Sequence, residues 1–214
     1  MTRILLVDDH DLVRTGLKSI LESRDNYAVV AEQNSGEAAL EFLRNTQEKP
    51  DLVLMDVNMP GIGGIEATRR INHAYPEIRI LAVTALQDEP FPAQLFKAGA
   101  SGYITKGCPA EEMFEAIETV IGGKQYLAND VSVKMTLDQI NTNNRESPFS
   151  CLSDREMQIM LMITQGNSNQ QISDSLFLSP KTISTYRHRL FDKLHISNDV
   201  ELTHMAIRHG VIDQ

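Results

Sequence analysis

The chain has 214 residues, 42% hydrophobic and 23% charged, with a formal net charge of -9. That length allows either one large domain or two small ones, each with its own core, and no run of about eighteen apolar residues is present to cross a bilayer. A soluble cytoplasmic protein is expected: the amino end enters an apolar run without the pattern of a secretory signal, and Cys108 and Cys151 lack both metal-ligand spacing and the density of a disulfide framework.

Charge is unevenly spread. Residues 1–149 hold 14 Lys and Arg against 22 Asp and Glu, whereas 150–214 hold 6 against 7, with four of the six His. Acidity belongs to the first part and does not argue against an anionic partner for the second.

From Arg3 to about Ile121, short apolar runs alternate with amphipathic stretches. The runs Ile4 to Val7, Ala28 to Ala31, Leu52 to Met55, Ile80 to Val83 and Gly102 to Ile104 mostly lack polar alternation, as strands buried on both faces do. Between them, Leu12 to Glu22, Gly36 to Arg44, Ile65 to His73, Phe91 to Ala98 and Ala110 to Ile121 carry apolar residues three and four apart and predict helices. This repeat predicts a parallel sheet wrapped by helices. Pro90 and Pro92 flank Phe91 and should shorten or loosen the start of the fourth helix.

Gly122 and Gly123, a weak helical segment from Val131 to Ile140 and the polar run Asn141 to Pro148 read as a linker. Neither Gly61 to Gly64 nor Gly122 to Lys124 has the spacing of a nucleotide-binding loop, so both read as turns. Beyond the linker, Leu152 to Gly210 is helical in period throughout. Ser153 with Glu156 fits a capping box, Gly166 a helix stop, and Ser179 with Pro180 an N-cap followed by proline, predicting helices near 153–165, 169–176, 180–194 and 199–209.

Chemistry concentrates at the strand ends. Asp8 and Asp9 close the first strand and Asp56 the third, and in a parallel α/β sheet such ends share one crevice. Three carboxylates together ask for a divalent cation, and oxygen ligands suit Mg²⁺. Thr84 at the end of the fourth strand and Lys106 past the fifth add a hydroxyl and an ammonium able to bind oxygens of a phosphoryl group on Asp56. Haloacid-dehalogenase-type phosphatases also phosphorylate an aspartate, but usually place a general-acid Asp two residues on, where this chain has Asn58. No enzyme activity is expected.

Asp8 and Asp9, Asp56 with Met59-Pro60-Gly61, Thr84-Ala85 and Tyr103 to Lys106 resemble, in order and spacing, the receiver domain of two-component response regulators. The resemblance implies a CheY-like (flavodoxin-like) doubly wound parallel sheet of five strands in the order 2-1-3-4-5. It also implies that Asp56 accepts phosphate from a sensor histidine kinase or its phosphotransfer domain. Asp9 would bind Mg²⁺ directly, Asp8 would help through water, Asn58 would lend its backbone carbonyl, and Thr84 and Tyr103 would form a switch pair. Gly107 stands after Lys106, where receivers often carry proline.

In the stretch 180–194, Ile183, Leu190 and Leu194, with Tyr186 between them, form a core stripe. Lys181, Ser184, Thr185, Arg187, His188, Arg189 and Lys193 occupy the remaining surface, with Thr182 near the amino end; four cations there face one acid, Asp192. Such a helix suits the major groove of double-stranded DNA, with cations such as Arg187 and Lys193 on phosphates and polar residues on base edges.

Leu152 to Glu156, Gly166, Ile172, Leu176 and Leu178 through Leu194 resemble the LuxR-type helix-turn-helix domain, and with a receiver in front the chain looks like the NarL/FixJ class. Ser147-Pro148-Phe149, Gln158 to Thr164, Asp199 to His204 and Ala206 to Gly210 look like the GacA/UvrY/LetA group. The family pattern often has Lys at Ser184, His at Tyr186 and Glu at Gln171. The resemblance implies a receiver over 1–122, a linker over 123–148 and an all-α four-helix LuxR-type DNA-binding domain over 149–214. It further implies a homodimer on pseudo-palindromic DNA, controlled by phosphorylation and activating genes that include small regulatory RNAs, with RNA polymerase a further partner and no membrane partner. A second reading is a constitutive dimeric DNA binder that has lost phosphorylation.

Overall fold

The computed structural model describes residues 1–84, 91–127, 148–209 and 211–212. The chain divides into two compact units, one built around the sheet and one containing the last four helices.

The first unit runs β1 (Thr2–Val7), α1 (Asp11–Leu21), β2 (Tyr27–Gln33), α2 (Gly36–Asn45), β3 (Leu52–Asp56), α3 (Gly63–Ala74), β4 (Arg79–Thr84), α4 (Phe91–Ala98), β5 (Gly102–Thr105), α5 (Ala110–Ile121) and β6 (Tyr126–Leu127). The strand order is β2-β1-β3-β4-β5-β6 and every pairing is parallel. Five strands follow the expected order. The sixth lies in the stretch read as linker, because two residues carry no readable period; the sheet edge recruits them, with Tyr126 N donating to Ser101 O at 3.1 Å.

Alternate residues of each central strand serve opposite faces. Ile4, Leu6, Leu52, Leu54, Leu81 and Val83 pack against Leu21 of α1 and Phe114 and Ile117 of α5. Leu5, Val7, Val53, Met55 and Ile80 pack against Ala39 and Leu43 of α2 and Ala67 and Ile71 of α3. Helices on both faces explain why these runs are continuously apolar. Edge strand β2 buries only Tyr27 fully. The fourth helix spans eight residues from Phe91. Ala85, Pro90, the segment Val131 to Ile140, most of the supposed linker and Gly210 lie outside the described residues.

The second unit opens with a 3-10 turn, Pro148–Cys151, followed by α6 (Asp154–Thr164), α7 (Asn169–Leu176), α8 (Pro180–Leu194) and α9 (Asp199–Arg208). Local chemistry fixes these ends. Ser153 and Glu156 form the expected capping box, and the Ser179 hydroxyl accepts from Thr182 N at 3.1 Å ahead of Pro180. A second capping box pairs Ser168 with Gln171, whose side-chain carbonyl accepts from Ser168 N at 2.8 Å, so glutamine performs the glutamate's capping role. Gly166 turns left-handed after α6 as expected, but α7 and α8 end on left-handed Phe177 (φ 52°) and His195 (φ 54°), where no glycine marks the stop. Ile172, Leu176, Ile183, Leu190, Leu194 and Leu202 are buried.

Candidate functional site

Neighbouring strands β1 and β3 pair Val7 with Met55, so the residues that follow, Asp8 and Asp56, emerge side by side. They are 2% and 1% exposed. Lys106 Nζ lies between them, 2.7 Å from Asp8 Oδ2 and 2.9 Å from Asp56 Oδ2. Its own backbone N donates to Thr84 O at 2.7 Å, which ties the loop carrying the ammonium to the end of β4. Asn58 N donates to Asp56 Oδ1 at 3.2 Å.

The electrostatics follow from this burial. Loss of water pushes the Asp56 carboxyl above the usual carboxylate range; Lys106 pulls it back only in part, and Asp8 pushes it further up. For Lys106, burial works against the charge, but hydrogen bonds and attraction from Asp8 and Asp56 outweigh it and hold its pKa above that of an ordinary lysine. Gly64 completes the frame. A Cβ there would stand 2.0 Å from the Asp56 carbonyl oxygen, and Gly64 N donates to Val57 O at 3.0 Å, so the first turn of α3 rests directly on the end of β3.

Asp8, Asp9, His10 and Asp56 each place a ligand atom within 4.8 Å of the others. Asp8 Oδ2 and Asp9 Oδ1 are both buried; the first meets the Lys106 ammonium at 2.7 Å and the second meets His10 Nδ1 at 2.9 Å. Carboxylate oxygens gathered this closely, with more negative charge than one ammonium balances, fit a hard divalent cation. His10 is absent from the sequence-based set. Its signal is its place directly after two acids: His10 N donates to Asp8 Oδ1 at 2.8 Å, which leaves the exposed ring over the cluster.

Thr84 and Tyr103 are fully buried. Ala82 pairs with Tyr103, so Thr84, two residues along β4, shares a sheet face with the tyrosine. The geometry thus gathers Asp8, Asp9, Asp56 and Lys106 in one cluster, with Asn58 beside Asp56 and Thr84 at the adjoining strand end.

In the second unit, the expected DNA-facing residues of α8 divide into two groups. Lys181, Ser184, His188 and Arg189 make no side-chain hydrogen bond or ion pair among the described residues. The other four are engaged. Thr182 shares its hydroxyl with the Ser179 cap at 2.8 Å, and Thr185 Oγ1 donates to Lys181 O at 3.0 Å. Arg187 pairs with Asp199 of α9 through Nε, at 2.9 Å, and through a second guanidinium nitrogen, and also donates to Asn169 Oδ1 of α7 at 2.5 Å. Lys193 donates to Glu156 Oε2 at 2.6 Å and Cys151 O at 3.2 Å. Two cations expected on phosphates therefore join helices to one another. Their acidic partners lie 12 and 37 residues away and cannot be paired with them by helical spacing.

Residues 4–118 match the model of the response regulator receiver domain, and residues 150–206 match that of the luxR family of bacterial regulatory proteins. The chain is a response regulator of the luxR family. As such a response regulator it acts in two-component transcription regulation and is not an enzyme. Response regulator GacA of Pseudomonas viridiflava is 49% identical over 213 residues, covering 100% of this chain and 99% of that protein. Response regulator UvrY of Escherichia coli (strain K12) is 49% identical over 211 residues, 99% of this chain and 96% of that protein. Among solved structures, response regulator ChrA of a heme-sensing two-component system is 33% identical, covers 98% of each chain and gives a TM-score of 0.53.

Proposed function

We propose that Asp56 of this response regulator accepts a phosphoryl group from a histidine kinase or its phosphotransfer domain, and that the modification controls dimerisation and promoter binding. The observation that carries the reading is Lys106 Nζ, 2.7 Å from Asp8 and 2.9 Å from Asp56. One ammonium balancing two buried carboxylates is placed to follow a charge that grows on Asp56.

Asp9 and Asp56, with Asp8 through water and the Asn58 carbonyl, would hold Mg²⁺, which when bound would neutralise the carboxylates and the phosphoryl oxygens. The Asp56 carboxylate oxygen attacks the phosphorus, the bond from phosphorus to the donor histidine nitrogen breaks, and Lys106 holds the added charge. Thr84 would turn its hydroxyl toward the phosphoryl group, and Tyr103, on the same sheet face, would repack behind it.

In the output domain, Lys181 and Arg189 would meet phosphates while Ser184, Thr185 and His188 meet base edges of a two-fold DNA site. Thr182 would hold the cap, and Arg187 and Lys193 would fix the reading helix in place. The protein works in the cytoplasm, and likeness to GacA and UvrY points to activation, with RNA polymerase engaged, of genes that include small regulatory RNAs.

The test compares wild type with Asp56→Ala, with and without Mg²⁺ and beryllofluoride, reading oligomeric state and binding to duplex DNA that the protein has selected from a random pool. Dimer formation and tighter binding confined to wild type support the proposal. Binding that is equal in both proteins and indifferent to beryllofluoride would replace it with the constitutive reading.

A further inference from the structure

We propose that a cleft at the opposite edge of the receiver sheet, lined by Arg79, Lys124, Ser101 and Asn72, is a second binding site, specific for the phosphate group of a small molecule.

The cleft is open to solvent, has a volume of about 270 Å³ at the amino ends of β4 and β5, and its polar lining is Asn72, Arg79, Ser101, Lys124 and Gln125, the last two exposed. No acid lines it. Arg79 and Lys124 form no ion pair or side-chain hydrogen bond among the described residues. Several other receiver cations are paired, among them Arg3 with Glu48, Lys18 with Glu32 at 2.8 Å and Arg70 with Glu66 at 2.7 Å. Two uncompensated cations in one concavity stand out in an acidic domain.

A role in closing helix ends does not account for them. The helices end at this edge, but several of their last carbonyls are met by backbone: Gly122 N to Glu118 O at 2.9 Å, Lys124 N to Thr119 O at 3.1 Å, Ala100 N to Leu95 O at 2.9 Å and Tyr75 N to Ile71 O at 2.7 Å, and neither cation's side chain joins them. The side-chain donors are left for a ligand. Two glycines shape the wall. A Cβ on Gly99 (φ +103°) would fall 2.2 Å from Asn72 Nδ2, so only glycine lets that amide lie along the chain, and Gly123 (φ +81°) brings Arg79 Nη2 within 3.8 Å of its Cβ position.

A guanidinium fork, an ammonium, two amides and a hydroxyl offer more donors than a carboxylate can use and suit the oxygens of a phosphate. Phe96, Pro76 and Ile78 supply an apolar wall for a small organic group, and the volume lies just under the usual range for ligand pockets, about 300–1,000 Å³. Lys124 and Gln125 lead straight into β6, which is held by Tyr126 N on Ser101 O at 3.1 Å. A phosphate bridging Ser101 to Lys124 therefore fastens β6 to the sheet, at the point where the chain leaves the receiver.

The test titrates the full chain, in Mg²⁺-free buffer at constant ionic strength, with inorganic phosphate, adenosine monophosphate and adenosine, following backbone amide resonances and amide exchange. Saturable shifts at Ser101, Gly123, Lys124 and Gln125 with either phosphate compound, together with slower exchange at Tyr126 and Leu127, are expected. A response to the monophosphate alone assigns a phosphate monoester, and a response to both assigns the phosphate group itself. Arg79→Gln with Lys124→Gln, and separately Ser101→Asp, should weaken binding at least about tenfold; the second variant tests the site should the first fail to fold. An equal response to adenosine, shifts confined to Asp56 and Lys106, no saturable shift, or full binding by a folded variant would each overturn the proposal.

Discussion

Lys193, in the last turn of α8, donates to Glu156 in the first turn of α6 at 2.6 Å and so ties the reading helix to the helix that opens its domain. Glu156 is 4% exposed and also accepts from Ser153 N at 2.8 Å. Burial pushes its carboxyl up, but Lys193 and Ser153 pull it further down, leaving it below the ordinary range.

A folded-state pKa below the unfolded value gives stability that is present above the unfolded pKa and lost as pH falls through the folded one. The DNA-binding domain of Lys193→Met is accordingly expected to lose about 1–3 kcal/mol at pH 7. Its deficit should shrink on acidification below the glutamate range. Urea unfolding of the domain across pH checks both statements; equal stability of mutant and wild type at pH 7 would show that the pair contributes nothing.

Arg187 and Arg189 are neighbours with opposite fates. Arg187→Ala removes the link to Asp199 and Asn169 and should destabilise the domain by about 1–2 kcal/mol while leaving the salt dependence of DNA binding unchanged. Arg189→Ala should leave stability unchanged and lower the slope of log K against log salt by about 1. Salt titrations of both variants decide the matter, and a flattened slope for Arg187→Ala would place its guanidinium on phosphate.

Gly64 supports Asp56 by lacking a side chain. Gly64→Ala drives a Cβ to 2.0 Å from the Asp56 carbonyl oxygen, with an expected cost of about 1–3 kcal/mol. Thermal unfolding of the receiver, with beryllofluoride-dependent dimerisation as second readout, should report both lower stability and a weaker response. Gly16, around which a Cβ would meet nothing within 4 Å, is the control.

Asp56 is held above the ordinary carboxylate range, chiefly by burial. A raised folded-state pKa means that the native state binds more protons than the unfolded one, so stability falls as pH rises through that window. Asp56→Asn is therefore expected to raise the receiver's melting temperature at pH 7 and to raise it less at pH 4. Mg²⁺ should stabilise wild type and have little effect on Asp9→Ala, since a ligand bound only by the folded state shifts unfolding by mass action. Calorimetric scans with Mg²⁺ or a chelator measure these differences.

The carboxylate cluster was legible in the sequence because each member follows a strand whose apolar run marks its own end, and parallel strands deliver those ends to one edge. His10 was missed because its contribution depends on a backbone bond to Asp8 rather than on spacing. β6 was missed because two residues gain strand geometry only from the edge they join.

The sequence by itself determined the βα alternation, the four carboxy-terminal helices and three of their ends, at Ser153, Gly166 and Ser179, since periodicity and capping chemistry act over a few neighbouring residues. Tertiary structure decided which cations remain free. Charge can be counted along a helix, but Arg187 and Lys193 acquire partners only when Asp199 and Glu156 fold against them. It likewise decided that Lys106 would stand between Asp8 and Asp56, because the strands of a parallel sheet fix distances between residues that the chain keeps about fifty or more positions apart.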